Sequence, residues 1–243
     1  MKKVITILMV LCVSVALFAS AGSIKVGGAF NFISGGTKDF VLNEITLPDS
    51  SSSYKSSGVG FDIGGSFDVS KDLKAWADFN MVFGFDAKLK EVDQTEWSSM
   101  NDLYKEFKDL AGDKAYKKLN MISAAAGVAY KLGFDAPVDV SVGGGVFFER
   151  VFGRVGAKDE SSEIGREFKA INLGVSLYAD VEYKFNDNFG IGLTVMPHFG
   201  VYNSSTAREI VVVTGTDKSV SMTAKGINFS FSMPVSLGAT YSF

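Results

Sequence analysis

The chain has 243 residues, with 24 Lys and Arg against 27 Asp and Glu, a formal charge of −3, one His and one Cys. That length suits a single domain, and the absence of a basic tail or patch argues against nucleic acid as a partner. The one cysteine, Cys12, lies in an apolar run near the start, so a chain that loses this run has no thiol for disulfides, thiol catalysis or thiolate metal sites.

Lys2 and Lys3 precede that run, residues 4–18, and Ala19, Ser20 and Ala21 supply the small residues at which a signal peptidase cuts. Residues 1–21 are therefore expected to be an export signal. The run is shorter than the ~20 residues of a membrane helix, and Leu11 before Cys12 is the wrong size for lipoprotein cleavage. Without Lys2 and Lys3, 22 basic residues remain against 27 acidic ones.

Residues 22–243 read as a single domain of two-faced strands, because apolar residues recur at every second position. Ile24, Val26, Phe30 and Phe32 alternate with Lys25, Gly27, Ala29 and Asn31. The polar, serine-rich residues 35–57 read as a loop. Val59, Phe61, Ile63, Phe67 and Val69 then alternate with Gly60, Asp62, Gly64, Ser66 and Asp68. A tight turn at Ser70, Lys71 and Asp72 leads to Leu73, Ala75, Ala77, Phe79, Met81, Phe83 and Phe85, which alternate with Lys74, Trp76, Asp78, Asn80, Gly84 and Asp86.

Residues 87–120 form the longest connection. Within it Trp97, Met100, Leu103, Phe107 and Leu110 recur at three- and four-residue steps, which predicts an amphipathic helix packed on neighbouring loops or on the rim of the sheet. The next strand sets Ile122, Ala124, Ala126, Val128, Tyr130 and Leu132 against Ser123, Ala125, Gly127, Ala129 and Lys131. After a turn at Phe134, Asp135, Ala136 and Pro137, Val138, Val140, Val142, Val146 and Phe148 alternate with Asp139, Ser141, Gly143, Gly145 and Phe147, and the pattern blurs from Glu149 onward. Residues 154–167 read as another polar loop.

An uninterrupted strand follows, with Ile171, Leu173, Val175, Leu177, Ala179, Val181, Tyr183 and Phe185 opposite Asn172, Ser176, Asp180, Glu182 and Lys184. A third tight turn, Asn186 to Asn188, precedes Phe189, Ile191, Leu193, Val195, Phe199 and Val201, which alternate with Gly190, Gly192, Thr194 and His198. Residues 203–224 are the last long connection, where residues 210–213 and 220–222 extend the flanking strands into a projecting hairpin. The final strand alternates from Ile227 through Phe229, Phe231, Met233, Val235, Leu237, Ala239 and Tyr241 to Phe243.

The count is eight strands joined alternately by long and short connections, which predicts an all-β, eight-stranded antiparallel up-and-down transmembrane β-barrel. An eight-stranded barrel with an apolar interior standing in water shows the same period, but eight strands enclose a space only just wide enough for side chains. So many bulky Phe, Leu and Val could not all point inward. Lipid is therefore placed outside, with aromatics such as Phe30, Phe83, Tyr183, Phe189 and Tyr241 at its boundaries and Arg150 reaching toward head groups. An even strand number puts both termini on the periplasmic side and the four long connections outside the cell.

The inward charges Asp62, Asp68, Lys74, Asp78, Asp86, Lys131, Asp139, Glu149, Asp180, Glu182 and Lys184, with His198, read as a paired network filling the lumen. A narrow conducting path is the alternative, because inward Gly60, Gly64, Gly143, Gly174 and Gly192 remove side-chain volume. Ser176 or Ser232 could share the lumen with His198, but no nucleophile motif accompanies them, so no enzyme is expected, and no metal or cofactor either.

The chain end, Ser236-x-Gly238-x-x-Tyr241-x-Phe243, looks like the closing strand recognised by the barrel assembly machinery. With it, the whole chain after residue 21 resembles the small eight-stranded outer-membrane proteins of the OmpX, OmpW and OmpA membrane-domain kind. The resemblance implies a bacterial outer-membrane location, outer-membrane lipid as surroundings and a monomer. It also implies loops that contact an extracellular ligand or host surface, as in OmpX-like members, or else passive passage of small solutes.

Overall fold

A computed structural model describes residues 22–42, 45–90, 98–133, 137–213, 216–218, 220–226 and 229–243. The expected export signal, Trp97, Ile227, the turn at Phe134, Asp135 and Ala136, and the side chains of Phe85 and Asp86 lie outside the described residues. The strands are β1 (Gly22–Leu42), β2 (Ile45–Asp68), β3 (Leu73–Lys90), β4 (Ser98–Ser99), β5 (Ala115–Leu132), β6 (Val138–Lys158), β7 (Ser162–Lys184), β8 (Phe189–Val195), β9 (His198–Val213), β10 (Thr216–Asp217), β11 (Val220–Gly226) and β12 (Ser230–Ser242). One helix, α1 (Met100–Ala111), precedes β5.

All neighbouring long strands pair antiparallel in chain order, and β12 returns to β1 with Ser23 opposite Ser242 and Gly35 opposite Ser230. Gly22 and Phe243 exchange backbone hydrogen bonds of 3.2 and 3.0 Å at the seam. β8 and β9 act as one wall element, each pairing with both β7 and β12, and β11 and β12 likewise form one, so the ring has eight members. The break between β8 and β9 falls at Pro197, which has no N–H for the ladder. Its carbonyl still accepts from Leu177 at 2.9 Å.

The strands run past the ends expected for them. β1 and β2 continue through most of residues 35–57, with Lys38, Thr37 and Gly36 opposite Ser51, Ser52 and Ser53. The expected loop at residues 154–167 is instead the upper half of the β6–β7 hairpin, closed where Asp159 Oδ1 accepts from the Ser161 and Ser162 amides at 3.0 and 2.8 Å. Residues 203–209 pair with β11, so the projecting hairpin begins lower than expected. Serine and charged residues lower strand propensity only weakly, and a ladder already formed below them overrides it. Two of the tight turns are as read: Val69 and Ser70 donate to Leu73, and Phe185 and Asn186 to Phe189.

Helix α1 starts at Ser99, whose hydroxyl accepts from the amides of Asn101 and Asp102 at 3.1 and 3.3 Å, and ends at Gly112, where a φ of 55° suits glycine. Met100, Leu103, Tyr104 and Phe107 face a cluster formed by Ile33, Tyr54, Val82, Leu119, Met121, Val151, Val155, Phe168 and Ala170. These are inward residues of the strand extensions, so α1 stops the barrel mouth. Leu110, expected in the packed stripe, is 86% exposed instead; it is the second-last residue of the helix, beyond Phe107, the last that packs on the cluster.

Candidate functional site

The exterior is apolar where the strands are longest in common. Val59, Phe61, Val128, Val146, Leu173, Val175, Leu177, Leu193 and Leu237 are exposed large hydrophobics pointing away from the lumen. Aromatic contacts gather near the short-turn end, with Phe189 and Tyr241 rings 5.1 Å apart and Tyr183 and Phe185 rings 5.5 Å apart. The terminal pattern divides by face: Ser236 points inward and is buried, Tyr241 and Phe243 point outward, and a Cβ on Gly238 would meet the Val26 carbonyl oxygen at 2.6 Å. Only glycine lets β1 and β12 approach this closely at the seam.

The lumen is filled in layers. At the turn end, ion pairs Lys131–Asp68 (2.8 Å) and Lys184–Asp139 (2.5 Å) lie at the partly exposed rim. One layer up, Thr240 donates to Glu182 at 2.6 Å, Thr194 donates to Asp180 at 2.6 Å and Lys74 pairs with Asp180 at 3.2 Å. Lys25 reaches Asp62 at 3.5 Å and Ser236 at 2.8 Å, and also donates to Thr194. Asp78 is buried in the same layer, and Trp76 stacks on Tyr178 with ring centroids 4.4 Å apart. A cavity of about 20 Å³ remains among Lys25, Ser66, Trp76, Asp78, Tyr178 and Glu182, room for about one water.

Above this lies an aromatic floor, Phe147 stacked on His198 at 4.3 Å, with Met196 beside Phe147 in one buried cluster. His198 Nδ1 is 3.2 Å from the Ser232 hydroxyl, whereas Ser176 donates to the Leu177 carbonyl. Glu149 accepts from Asn172 at 2.7 Å, and Asn172 accepts from Tyr54 at 2.9 Å and also from Asn203. The apolar cluster and α1 then close the mouth.

The residues read as one charge network thus fall into separate groups: a rim (Asp68, Lys131, Asp139, Lys184), a buried layer (Asp62, Lys74, Asp78, Asp180, Glu182) and a distant polar set (Glu149, His198). Lys25 joins the buried layer and was not among the expected charges, although its alternation with Ile24 and Val26 places it inward. The glycines also play a different part. A Cβ on Gly60, Gly143 or Gly174 would strike a carbonyl oxygen of the adjacent strand, so these glycines bring neighbouring strands together rather than opening a lumen. Gly64 and Gly192 do face the buried layer, toward Asp78 and Lys25.

Beyond the mouth, Tyr116 donates to Glu163 at 2.6 Å and Arg154 to the same carboxylate at 2.5 Å. Partial burial opposes the charge on Glu163, but Tyr116 and Arg154 outweigh it and hold the carboxyl below its usual range. Tyr116 is pushed up to about 12, first by burial and then by its bond to Glu163. Asp159 is held low by the Ser162 hydroxyl and the turn amides.

A closed antiparallel eight-stranded ring, polar within and apolar without, is the fold of the small outer-membrane β-barrels. It is similar to the outer membrane protein OprG from Pseudomonas aeruginosa, with a TM-score of 0.57 at 10% identity over 93% of this chain and 96% of that one. It is also similar to a major outer membrane protein from Thermus thermophilus, with a TM-score of 0.52 at 14% identity over 88% of this chain and 99% of that one. No curated protein matches the chain. The chain belongs to the family described as a domain of unknown function, DUF2715, which matches residues 23–243.

Proposed function

We propose that this protein is a closed, non-conducting outer-membrane barrel that holds its strand extensions outside the cell for contact with other molecules, an extracellular ligand or a host surface. The observation that carries the reading is the lumen: side chains occupy it from the rim pairs to Glu149, and α1 seats its apolar stripe on the mouth. An ion would have to pass the Phe147–His198 stack and then the apolar cluster. In this reading the short turns and both termini are periplasmic, the C-terminal residues are read by the barrel assembly machinery, and the protein acts as a monomer. No catalytic role is proposed for His198 or Ser232, because His198 is 0% exposed and a substrate would need to displace the aromatic floor to reach it.

Planar-bilayer recording of the refolded protein tests the reading. Silence at about ±100 mV is expected, and reproducible single-channel steps would favour the second reading, a narrow passage entered from the cavity beside Trp76. Protease treatment of intact cells tests the orientation. Cuts are expected near residues 159–161 and 100–112, and cuts at Lys71 or Asn186 would invert it.

A further inference from the structure

We propose that the outward face of β5, β6, β7 and β9, just above the apolar belt, is a docking surface for the phosphate groups of lipids in the adjacent leaflet. The proposal rests on the reading that the belt lies in a membrane. Paired strands place residues in rows on one face, and here the rows change character over a short height. The row of Ala124, Phe148, Leu173 and Tyr202 is still apolar. The next is Ile122, Arg150, Ile171 and Ser204, then Asn120, Phe152, Lys169 and Thr206, then Lys118, Arg154, Glu167 and Arg208. Rows on one face are about 7 Å apart along a strand, so with the ~40° tilt of such barrels Arg150 and Lys169 sit about 5 and 10 Å above the apolar row, at head-group height.

The cations outnumber their partners. Arg154 is held by Glu163 at 2.5 Å and reaches Glu167 only at 3.9 Å, Glu167 pairs with Lys169, and Arg208 pairs with Asp217. Arg150 and Lys118 have no ion-pair partner among the described residues. Lys169 Nζ lies 5.7 Å over the Phe152 ring, so its position combines an apolar wall with a charge directed along it. The opposite end of the barrel differs, because Lys131 and Lys184 there lie on the lumen side and are each taken by an aspartate. These cations stand on a convex wall rather than in a pocket. A free anion would be held there by little, whereas a phospholipid gains from its chains lying against Phe148, Leu173 and Val175 below.

The test is native mass spectrometry of delipidated, refolded protein given equal amounts of dioleoylphosphatidic acid and dioleoylphosphatidylcholine. Wild type is expected to retain phosphatidic acid in at least about tenfold excess, at roughly 5-fold for each engaged cation. An Arg150→Gln, Lys169→Gln variant should lose about that factor, and Lys71→Gln at the other end should keep it. An unchanged ratio in the double variant overturns the proposal, as does displacement of the lipid by about 20 mM inorganic phosphate, which would mark a free-anion site. The heat-dependent gel mobility of each sample reports separately on barrel formation in detergent. Its absence in wild type would remove the membrane reading, and the docking surface with it; its presence with a flat lipid ratio would remove the docking surface alone.

Discussion

Replacing Leu177 with arginine distinguishes lipid from water around the belt. Leu177 is 53% exposed near the middle of the outward face of β7, between Val175 and Val181. From Leu173 to Val181 the outward apolar side chains cover about 27 Å of strand at ~3.4 Å per residue, about 20 Å of height after tilt, so position 177 falls at the centre of the hydrocarbon. Arg at that depth costs a transmembrane barrel about 2 to 4 kcal/mol, roughly 30- to 900-fold in the folding equilibrium. In water the same change at an exposed site would stay within about 0.5 kcal/mol. Urea titration of folding into phospholipid vesicles, followed by the fluorescence of buried Trp76, measures the difference. Tyr183→Arg, nearer the short-turn boundary, serves as the comparison and should cost no more than about 1 kcal/mol. A Leu177→Arg protein as stable as wild type, or a Tyr183→Arg protein equally damaged, would refute the assignment of the belt.

Three further outcomes follow from the interior and the extensions. Lys25→Met leaves Asp62 buried without its cation and should cost about 3 to 5 kcal/mol in the same titration, while adding Asp62→Leu should recover most of that loss; no recovery would mean that Lys25 acts mainly through Ser236 and Thr194. Ser99→Ala removes the cap of α1 and should cost about 1 kcal/mol of helix stability, seen as faster proteolysis within residues 100–111 at an unchanged barrel midpoint. Glu163 and Asp159 have folded pKa values below their unfolded ones, so their stabilisation of the β6–β7 hairpin is complete above about pH 4.5 and lost as pH falls through the lower folded values. Amide exchange at residues 158–163 should therefore lose protection as pH falls below about 4.5, relative to β7 residues 175–181, and equal loss in both would count against a local effect.

Much of the barrel was legible because lipid imposes a strict rule: within the belt every outward position must be apolar, and period two makes that visible in Ile171 through Phe185. Short turns were legible from Ser70 to Asp72 and Asn186 to Asn188 for local reasons. The helix showed itself through Met100, Leu103 and Phe107, but a stripe cannot say which surface it will cover. Pairings such as Lys25 with Asp62 and Lys74 with Asp180 depend on which strands meet and at what height. Alternation fixes only the side of the wall on which each residue lies, so the expected single network came apart into layers. The inward aromatics Trp76, Phe147 and Tyr178 were visible as residues on the polar parity, yet nothing in the chain announced that they would stack across the lumen.

The misread loops have one cause, and it bears on function. Along β6 the apolar parity is outward through Phe148 and, apart from outward Phe152, inward from Val151, with Glu149 inside and Arg150 outside at the change. β5 changes likewise from outward Ile122 to inward Met121 and Leu119, and β7 from outward Ile171 to inward Ala170 and Phe168. A strand that passes from lipid into water must exchange its faces, because its outer side now meets solvent and its inner side meets the other extensions. In sequence that exchange reads as an interruption, and the polar residues beyond it read as loop. In the folded wall the same exchange places Val151, Val155 and Phe168 where α1 can seat on them, and Arg150, Lys169 and Arg154 where lipid phosphates lie. The stoppered mouth and the cationic collar are thus the inner and outer consequences of one change of medium, and a variant that restores the lower parity, such as Val151→Asp, should loosen α1 and leave the belt intact.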